Sequence, residues 1–346
     1  MVARPDDGVD YRPMAARDLL SSKGALKYLP QRAVLDKTCV FHLHGLWSPS
    51  LHLVARFAHR HGLPYVVSTR GMAAGWSLAH KPFKKKLAWR LYQQADLQRA
   101  ACLLASSDAE FQDLTALLPG CAVAVVANCV DESPEALPEA PCAQPGSTVR
   151  TLLAMGRLHP VKGYAELIEA WATLRPAGWR LLIAGPDEDG YRAKLQALIS
   201  ARGLSDQVQL LGEVDDLQKW RLLADCDLFA APSRTENFGM AIAEAMLAGK
   251  PVITTTGTPW RLLAEQRAGW WVDLTPDALL GALRESTALN DGQRGAMGQR
   301  ARHCARRFSP ESVGREVLGI YRWLLEGAAR PACVGGLGTV TVTEIR

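Results

Sequence analysis

Two cations and two acids stand where short apolar runs give way to glycine-opened helices. The stretch GRLHPVKG (156–163) continues the apolar run TLLAMG, so Arg157 and Lys162 leave the carboxyl end of an expected strand. Gly163 follows at the start of an expected helix. Two cations beside the free amides of a helix start make a receptor for a diphosphate, because charge and dipole point the same way. The plainer reading of the same residues is a solvated basic loop. A second stretch, PSRTENFGMAIAEAMLAGKPVITT (232–255), repeats this geometry with acids. Glu236 precedes the expected helix, Gly239 opens it and Glu244 lies inside it. Without a side chain, Gly239 lets a ligand approach the backbone, and the first amides can hold phosphate. Glu244 is suited to hydrogen-bonding a vicinal diol. Taken singly, each glutamate also reads as an ordinary helix acid.

Such residues need elements that hold them. From residue 38 onward, apolar runs alternate with longer amphipathic ones, the pattern of an α/β protein with parallel sheets. Strands are expected at 39–44, 64–68, 101–106 and 122–127, with helices over 49–61, 81–99 and 107–118. The segment 131–149, rich in Pro, Ala and acids, breaks the pattern and reads as a linker. The alternation then restarts, with strands expected at 151–156, 179–185, 207–212, 227–232, 251–255 and 269–273. Further helices carry the chain to about residue 327. The expected organisation is an N-terminal doubly wound domain (1–130), the linker, a C-terminal one (150–327) and a flexible tail (328–346). Ligands of doubly wound sheets sit beyond the carboxyl ends of the strands, and two such domains facing each other would form a cleft.

Composition sets bounds on function. The chain has 346 residues, 48% hydrophobic and 22% charged, as in an ordinary globular protein. Its net charge of +5 does not argue for nucleic acid. The eight cysteines are scattered, with no C-x-x-C pair, and read as reduced thiols of a cytoplasmic protein. No run of about 18 apolar residues and no apolar signal core is present.

Taken together, GRLHPVKG and PSRTENFGMAIAEAMLAGKPVI resemble the nucleotide-sugar-dependent glycosyltransferases of family 4. HLHGLWSPS, VVSTRGM and KKKLAWRLYQQADLQRAACLLASSDAE extend the resemblance toward the branch found in bacterial exopolysaccharide and capsule assembly. It implies a GT-B fold of two Rossmann-like domains and a retaining, metal-independent transfer with no cofactor. The donor would be a UDP-sugar or GDP-sugar, and the acceptor a glycan or a lipid-linked glycan. Arg157 and Lys162 would bind the diphosphate, Glu236 the donor sugar, and Glu244 the ribose. The amides of Asn237, Phe238 and Gly239 would line sugar and phosphate. A competing reading is a degenerate homologue that binds nucleotide or a partner transferase. It draws on residues 1–37, which show no opening strand and no glycine-rich loop. The expectation is a start lying upstream, the alternative being a trimmed domain with weakened catalysis.

Three further features carry expectations. His42 and His44 share one face of strand 39–44, and His44 would either touch substrate or be held by hydrogen bonds. Arg70 stands where many family members have a functional histidine, and would face the cleft. Residues 51–100 hold nine Lys/Arg and one acid. Within them Lys84, Lys85, Lys86 and Arg90 share an expected helix with Leu87, Trp89 and Leu91. The cations suggest contact with an anionic membrane at its cytoplasmic face, while the apolar residues are expected to pack on the sheet.

Overall fold

A computed structural model describes residues 38–73, 82–131 and 149–335, which divide into two compact units. One holds the described residues up to Val126 and those from Arg315 on; the other is Ala127–Gly314. The expectation of a missing opening strand falls on 1–37, and most of the linker on 132–148, outside the described residues.

In the first unit the order is β1 (Phe41–His44), α1 (Pro49–Arg60), β2 (Tyr65–Ser68) and α2 (Pro82–Ala88). The α2 helix runs through a π turn (Trp89–Gln93) into α3 (Gln94–Gln98). Strand β3 (Cys102–Ala105), α4 (Asp108–Leu117) and β4 (Val123–Val125) follow. The four strands pair in sequence order, all parallel. Alternate residues Leu43, Tyr65, Val67, Leu103 and Val123 pack on Ala55, Ala58, Leu97 and Leu114 of the helices.

One buried carboxylate ties the carboxyl ends of this sheet together. Ser107 caps α4 by accepting from the Glu110 amide at 3.3 Å. The Glu110 side chain, 2% exposed, then accepts from the Thr69 hydroxyl (2.6 Å), the Ser106 amide (2.8 Å), the Ser106 hydroxyl (3.1 Å) and the Gly71 amide. Both loops beyond β2 and β3 thus share a single acceptor.

The second unit contains β5 (Arg150–Met155), a 3-10 turn (Pro160–Lys162), α5 (Tyr164–Leu174), β6 (Trp179–Ala184), α6 (Tyr191–Ala201) and β7 (Val208–Gly212). It continues through α7 (Asp216–Asp225), β8 (Leu228–Ala231), α8 (Met240–Leu247), β9 (Val252–Thr255), α9 (Leu262–Glu265) and β10 (Gly269–Val272). Helices α10 (Pro276–Ala288) and α11 (Asp291–Ala305) complete it, and α12 (Pro310–Glu326) leads back to the first unit. The sheet order is β10-β9-β8-β5-β6-β7, all parallel. Helices cover both faces: α5, α6 and α10 on one, α7, α8 and α11 on the other. Strands buried on both sides read as continuous apolar runs, which is why they stand out in the sequence. All ten expected strands are present to within about two residues.

Two expectations are corrected. The segment after 327 contributes β11 (Val334–Gly335), antiparallel to β4, and the chain from Arg315 on belongs to the first unit. The Val125 amide donates to the Cys333 carbonyl at 2.9 Å, so the short strand satisfies an edge that would otherwise offer unpaired backbone groups. The apolar residues of 82–91 also differ from expectation. Leu87 and Leu91 are 52% and 71% exposed, and only Trp89 packs against the core. No disulfide joins the described cysteines, and no helix among the described residues is long and apolar enough to cross a membrane.

Removing the shared acceptor should loosen the first unit. Glu110→Ala, which orphans two buried amides, is expected to lower stability by about 3 kcal/mol in urea unfolding, with Glu110→Gln costing less. Equal midpoints for all three proteins would contradict this.

Candidate functional site

Between β5 and β8 the sheet order reverses, and crevices at such switch points are where open α/β sheets place ligands. The loops leaving these two strands are the ones bearing the sequence's cations and acids. They touch: Gly163 has φ +69°, and a Cβ there would lie 2.0 Å from the Pro232 carbonyl oxygen. The Arg234 amide donates to the Val161 carbonyl at 2.8 Å, and the Arg234 guanidinium pairs with Glu166 of α5. Only glycine permits both that approach and that backbone conformation.

Glu236 sits where the loops meet. Lys162 Nζ lies 2.5 Å from its Oε1, with side-chain exposures of 19% and 17%. Ser233, 1% exposed, donates to the same oxygen at 2.8 Å. The Glu236 amide donates to the Gly257 carbonyl at 2.9 Å, fixing the loop against the one beyond β9. Arg157 reaches the other way, to Glu188 at 2.5 Å, and is 56% exposed. Each cation expected to hold a diphosphate is thus partnered by a carboxylate in this structure.

The start of α8 is built by an aromatic cluster. Phe238, 5% exposed, packs with Trp260 and Phe308 at ring separations of 5.2–5.5 Å. The Trp260 indole donates to the Phe238 carbonyl. Gly239 caps the helix with φ +85°, and a Cβ there would meet Ile242 at 3.0 Å and Trp260 at 3.2 Å. The Phe238 and Gly239 amides have no hydrogen-bond partner among the described residues. These amides and the dipole of α8 make a positive terminus, with half-buried Asn237 beside it.

Glu244 follows on α8, 15% exposed in its side chain, and is paired with Lys219 of α7 at 2.9 Å. Lys219 also reaches Asp216 at 3.1 Å. Burial pushes the Lys219 ammonium down, but the Glu244 and Asp216 carboxylates outweigh it and hold its pKa above the ordinary lysine value. Sequence reasoning missed Lys219. The capping box of Asp215 and Gln218 marks the start of α7, yet nothing in QKW says which strand-end the helix faces.

The first unit gathers a different group at its strand ends. His42 and His44 stack with ring centroids 4.1 Å apart, as their shared strand face requires. His42 Nε2 is 2.7 Å from the Ser68 hydroxyl, and Nδ1 is 2.5 Å from the Tyr321 hydroxyl of α12. Arg70, with φ +51°, donates from Nη2 to His44 Nδ1 at 3.1 Å. Burial, then the neighbouring His44 and Arg70, push His42 down to about 4. Burial and the Arg70 charge likewise lower His44. Both rings are therefore neutral at pH 7, and the Arg70 bond leaves the His44 proton on Nε2. In the second unit the structure thus joins Lys162 to Glu236 across the two loops, with Asn237, Phe238, Gly239 and Glu244 following on the loop and helix beyond Glu236 and Arg157 turned to Glu188; in the first it brings His44 to Arg70.

Comparison with known proteins agrees with both units. The family model described as glycosyl transferases group 1 matches residues 144–303, and that of a glycosyl transferase 4-like domain matches 3–129. A GDP-mannose:cellobiosyl-diphosphopolyprenol alpha-mannosyltransferase of Xanthomonas oryzae is 31% identical over 273 residues, covering 77% of this chain and 69% of that one. Enzymes of the same name from Xanthomonas campestris and Komagataeibacter xylinus are matched over 64% and 49% of their lengths. Among solved structures, the sucrose-phosphate synthase of Thermosynechococcus elongatus superposes with a TM-score of 0.69 at 17% identity, covering 92% of this chain and 81% of that one. Anabaena HepE, in complex with UDP and glucose, gives 0.66 at 22% identity, covering 86% and 82%.

The histidine environment has a pH consequence. The unfolded chain takes up a proton on His42 below about 6.5, the folded chain only near 4. Stability should therefore fall as pH drops through that window, by at most roughly 3 kcal/mol before solvent screening is allowed for. His42→Asn is expected to flatten that part of the stability profile in denaturant titrations at pH 7 and pH 5. An unchanged slope would show that His42 is not the group responsible.

Proposed function

Because this chain belongs to the group 1 glycosyltransferases, with two α/β parallel-sheet domains of the GT-B class, we propose that the β5–β8 switch point binds a nucleoside-diphosphate sugar. One observation carries this reading. Two lysine-paired glutamates flank the open amides of a helix start, at the place where such sheets bind nucleotides.

In the proposed complex the diphosphate lies over Gly156 and Gly163, on the Phe238 and Gly239 amides. Arg157 and Lys162 exchange their carboxylate partners for phosphate oxygens. Glu236, released from Lys162, accepts from hydroxyls of the donor sugar. Glu244 accepts from the ribose hydroxyls, and Lys219 holds that carboxylate in place. The two acids thus serve the two sugars of one donor.

Transfer then runs with retention. An acceptor hydroxyl attacks the anomeric carbon on the face the diphosphate leaves, the bond from that carbon to the phosphate oxygen breaks, and the acceptor proton passes to the leaving oxygen. Two cations and fixed amides stabilise charge as it develops on the diphosphate, in place of a metal ion. The Xanthomonas relative, a GDP-mannose:cellobiosyl-diphosphopolyprenol alpha-mannosyltransferase, supports a GDP-sugar donor and a lipid-linked glycan acceptor, while the HepE complex supports a UDP-sugar. His44 and Arg70 are proposed to meet the acceptor, Arg70 bringing a permanent cation to it.

Calorimetric titration with UDP and GDP should show one of them binding. Glu244→Ala and Arg157→Ala are expected to weaken it roughly ten- to hundredfold, and Lys219→Ala up to about tenfold. Binding unaffected by all three substitutions would contradict the site. Proton NMR of the first product should show the donor's anomeric configuration; an inverted product would overturn the mechanism.

A further inference from the structure

The path from α2 to α3 has two faces of opposite character. Its inner face is bonded to the loop that leaves β1 just after His44 and to helix α1 beyond it. Gln93 accepts from the Trp47 amide at 2.7 Å, Tyr92 donates to the Trp47 carbonyl at 3.0 Å, and Asp96 pairs with His52 at 2.8 Å. Lys85 does not join the surface cations; its ammonium lies over the Trp47 ring, 5.7 Å from the centroid.

The outer face carries Phe83, Leu87 and Leu91, exposed by 81%, 52% and 71%. Spaced by four, they form one stripe along the helix. At about 100° per residue, Lys84 falls on one flank of the stripe and Lys86 and Arg90 on the other. All three cations are exposed. From residue 82 to 95 the chain has no acid. Single exposed apolar side chains are commonplace, but three large ones in a row need a covering surface.

The flanking charges select that surface. A second copy of this chain would bring the same cations face to face, whereas an anionic bilayer offers phosphates at the height of the cations and acyl chains below them. We propose that this face docks the protein on an anionic lipid surface. Phe83, Leu87 and Leu91 enter the boundary between headgroups and acyl chains, and Lys84, Lys86 and Arg90 meet lipid phosphates. Because the inner face grips Trp47, docking also sets how the His44 end of β1 is presented to the membrane.

Sedimentation of the full chain with vesicles tests this without turnover, and so independently of the proposed transfer. The unmodified protein should bind vesicles of phosphatidylcholine with phosphatidylglycerol, ignore phosphatidylcholine alone, and release as salt is raised. Lys84→Gln/Lys86→Gln/Arg90→Gln is expected to bind roughly a hundredfold more weakly. Phe83→Ser/Leu87→Ser/Leu91→Ser should lose at least about tenfold while keeping the wild-type circular dichroism spectrum. No binding of the unmodified protein to anionic vesicles would overturn the proposal. So would wild-type binding by the apolar variant, or light scattering that shows a dimer dissolved by it.

Discussion

The contact between Gly163 and the Pro232 carbonyl is the constraint on which the rest of the second unit's site depends. The strand order of the parallel sheet reverses between β5 and β8, so the loops beyond them part to opposite faces. They still have to meet in the crevice, and a residue with a Cβ at 163 would hold them apart. Once they meet, Lys162 from one loop can reach Glu236 from the other, and Arg234 can reach Glu166. Turn, ion pair and helix start therefore form one arrangement, each part needing the others.

Charge is prepared in this site before any ligand arrives. Glu236 and Glu244 are both less than one-fifth exposed, and each has a lysine within 3 Å. A carboxylate buried to such depth needs a partner to offset its lost hydration, and a lysine supplies it at each position. The two pairs differ in what they can become. Lys162 stands by the proposed diphosphate position, where the proposed binding mode has it trade its carboxylate for phosphate and free Glu236 for a hydroxyl. Lys219 comes from α7, where it is held by both Glu244 and Asp216. In the first unit the cation is held differently, with Arg70 donating to a neutral His44 whose neighbour His42 is locked between Ser68 and Tyr321.

Much of this was legible in the sequence because the elements are local. Strands buried on both faces announce themselves as apolar runs, and Gly163 and Gly239 mark helix starts by their chemistry. The motif residues follow strands β5 and β8, so their gathering needed only the sheet order. What escaped notice depends on contacts between distant segments. Lys219 meets Glu244 only because α7 and α8 lie on the same sheet face. Two residues at 334–335 are too short for a pattern, yet they pair with β4. Leu87 and Leu91 look like core residues by type; only the inward bonds of Gln93, Tyr92 and Asp96 show that they must point out.

The most direct test of this account is a crystal structure with whichever of UDP and GDP binds. The account predicts the diphosphate against Gly156, Lys162 and the Phe238 and Gly239 amides, the ribose hydroxyls on Glu244, and Lys162 turned from Glu236 to phosphate. A nucleotide bound elsewhere, or one bound here with the Lys162–Glu236 pair intact, would contradict it.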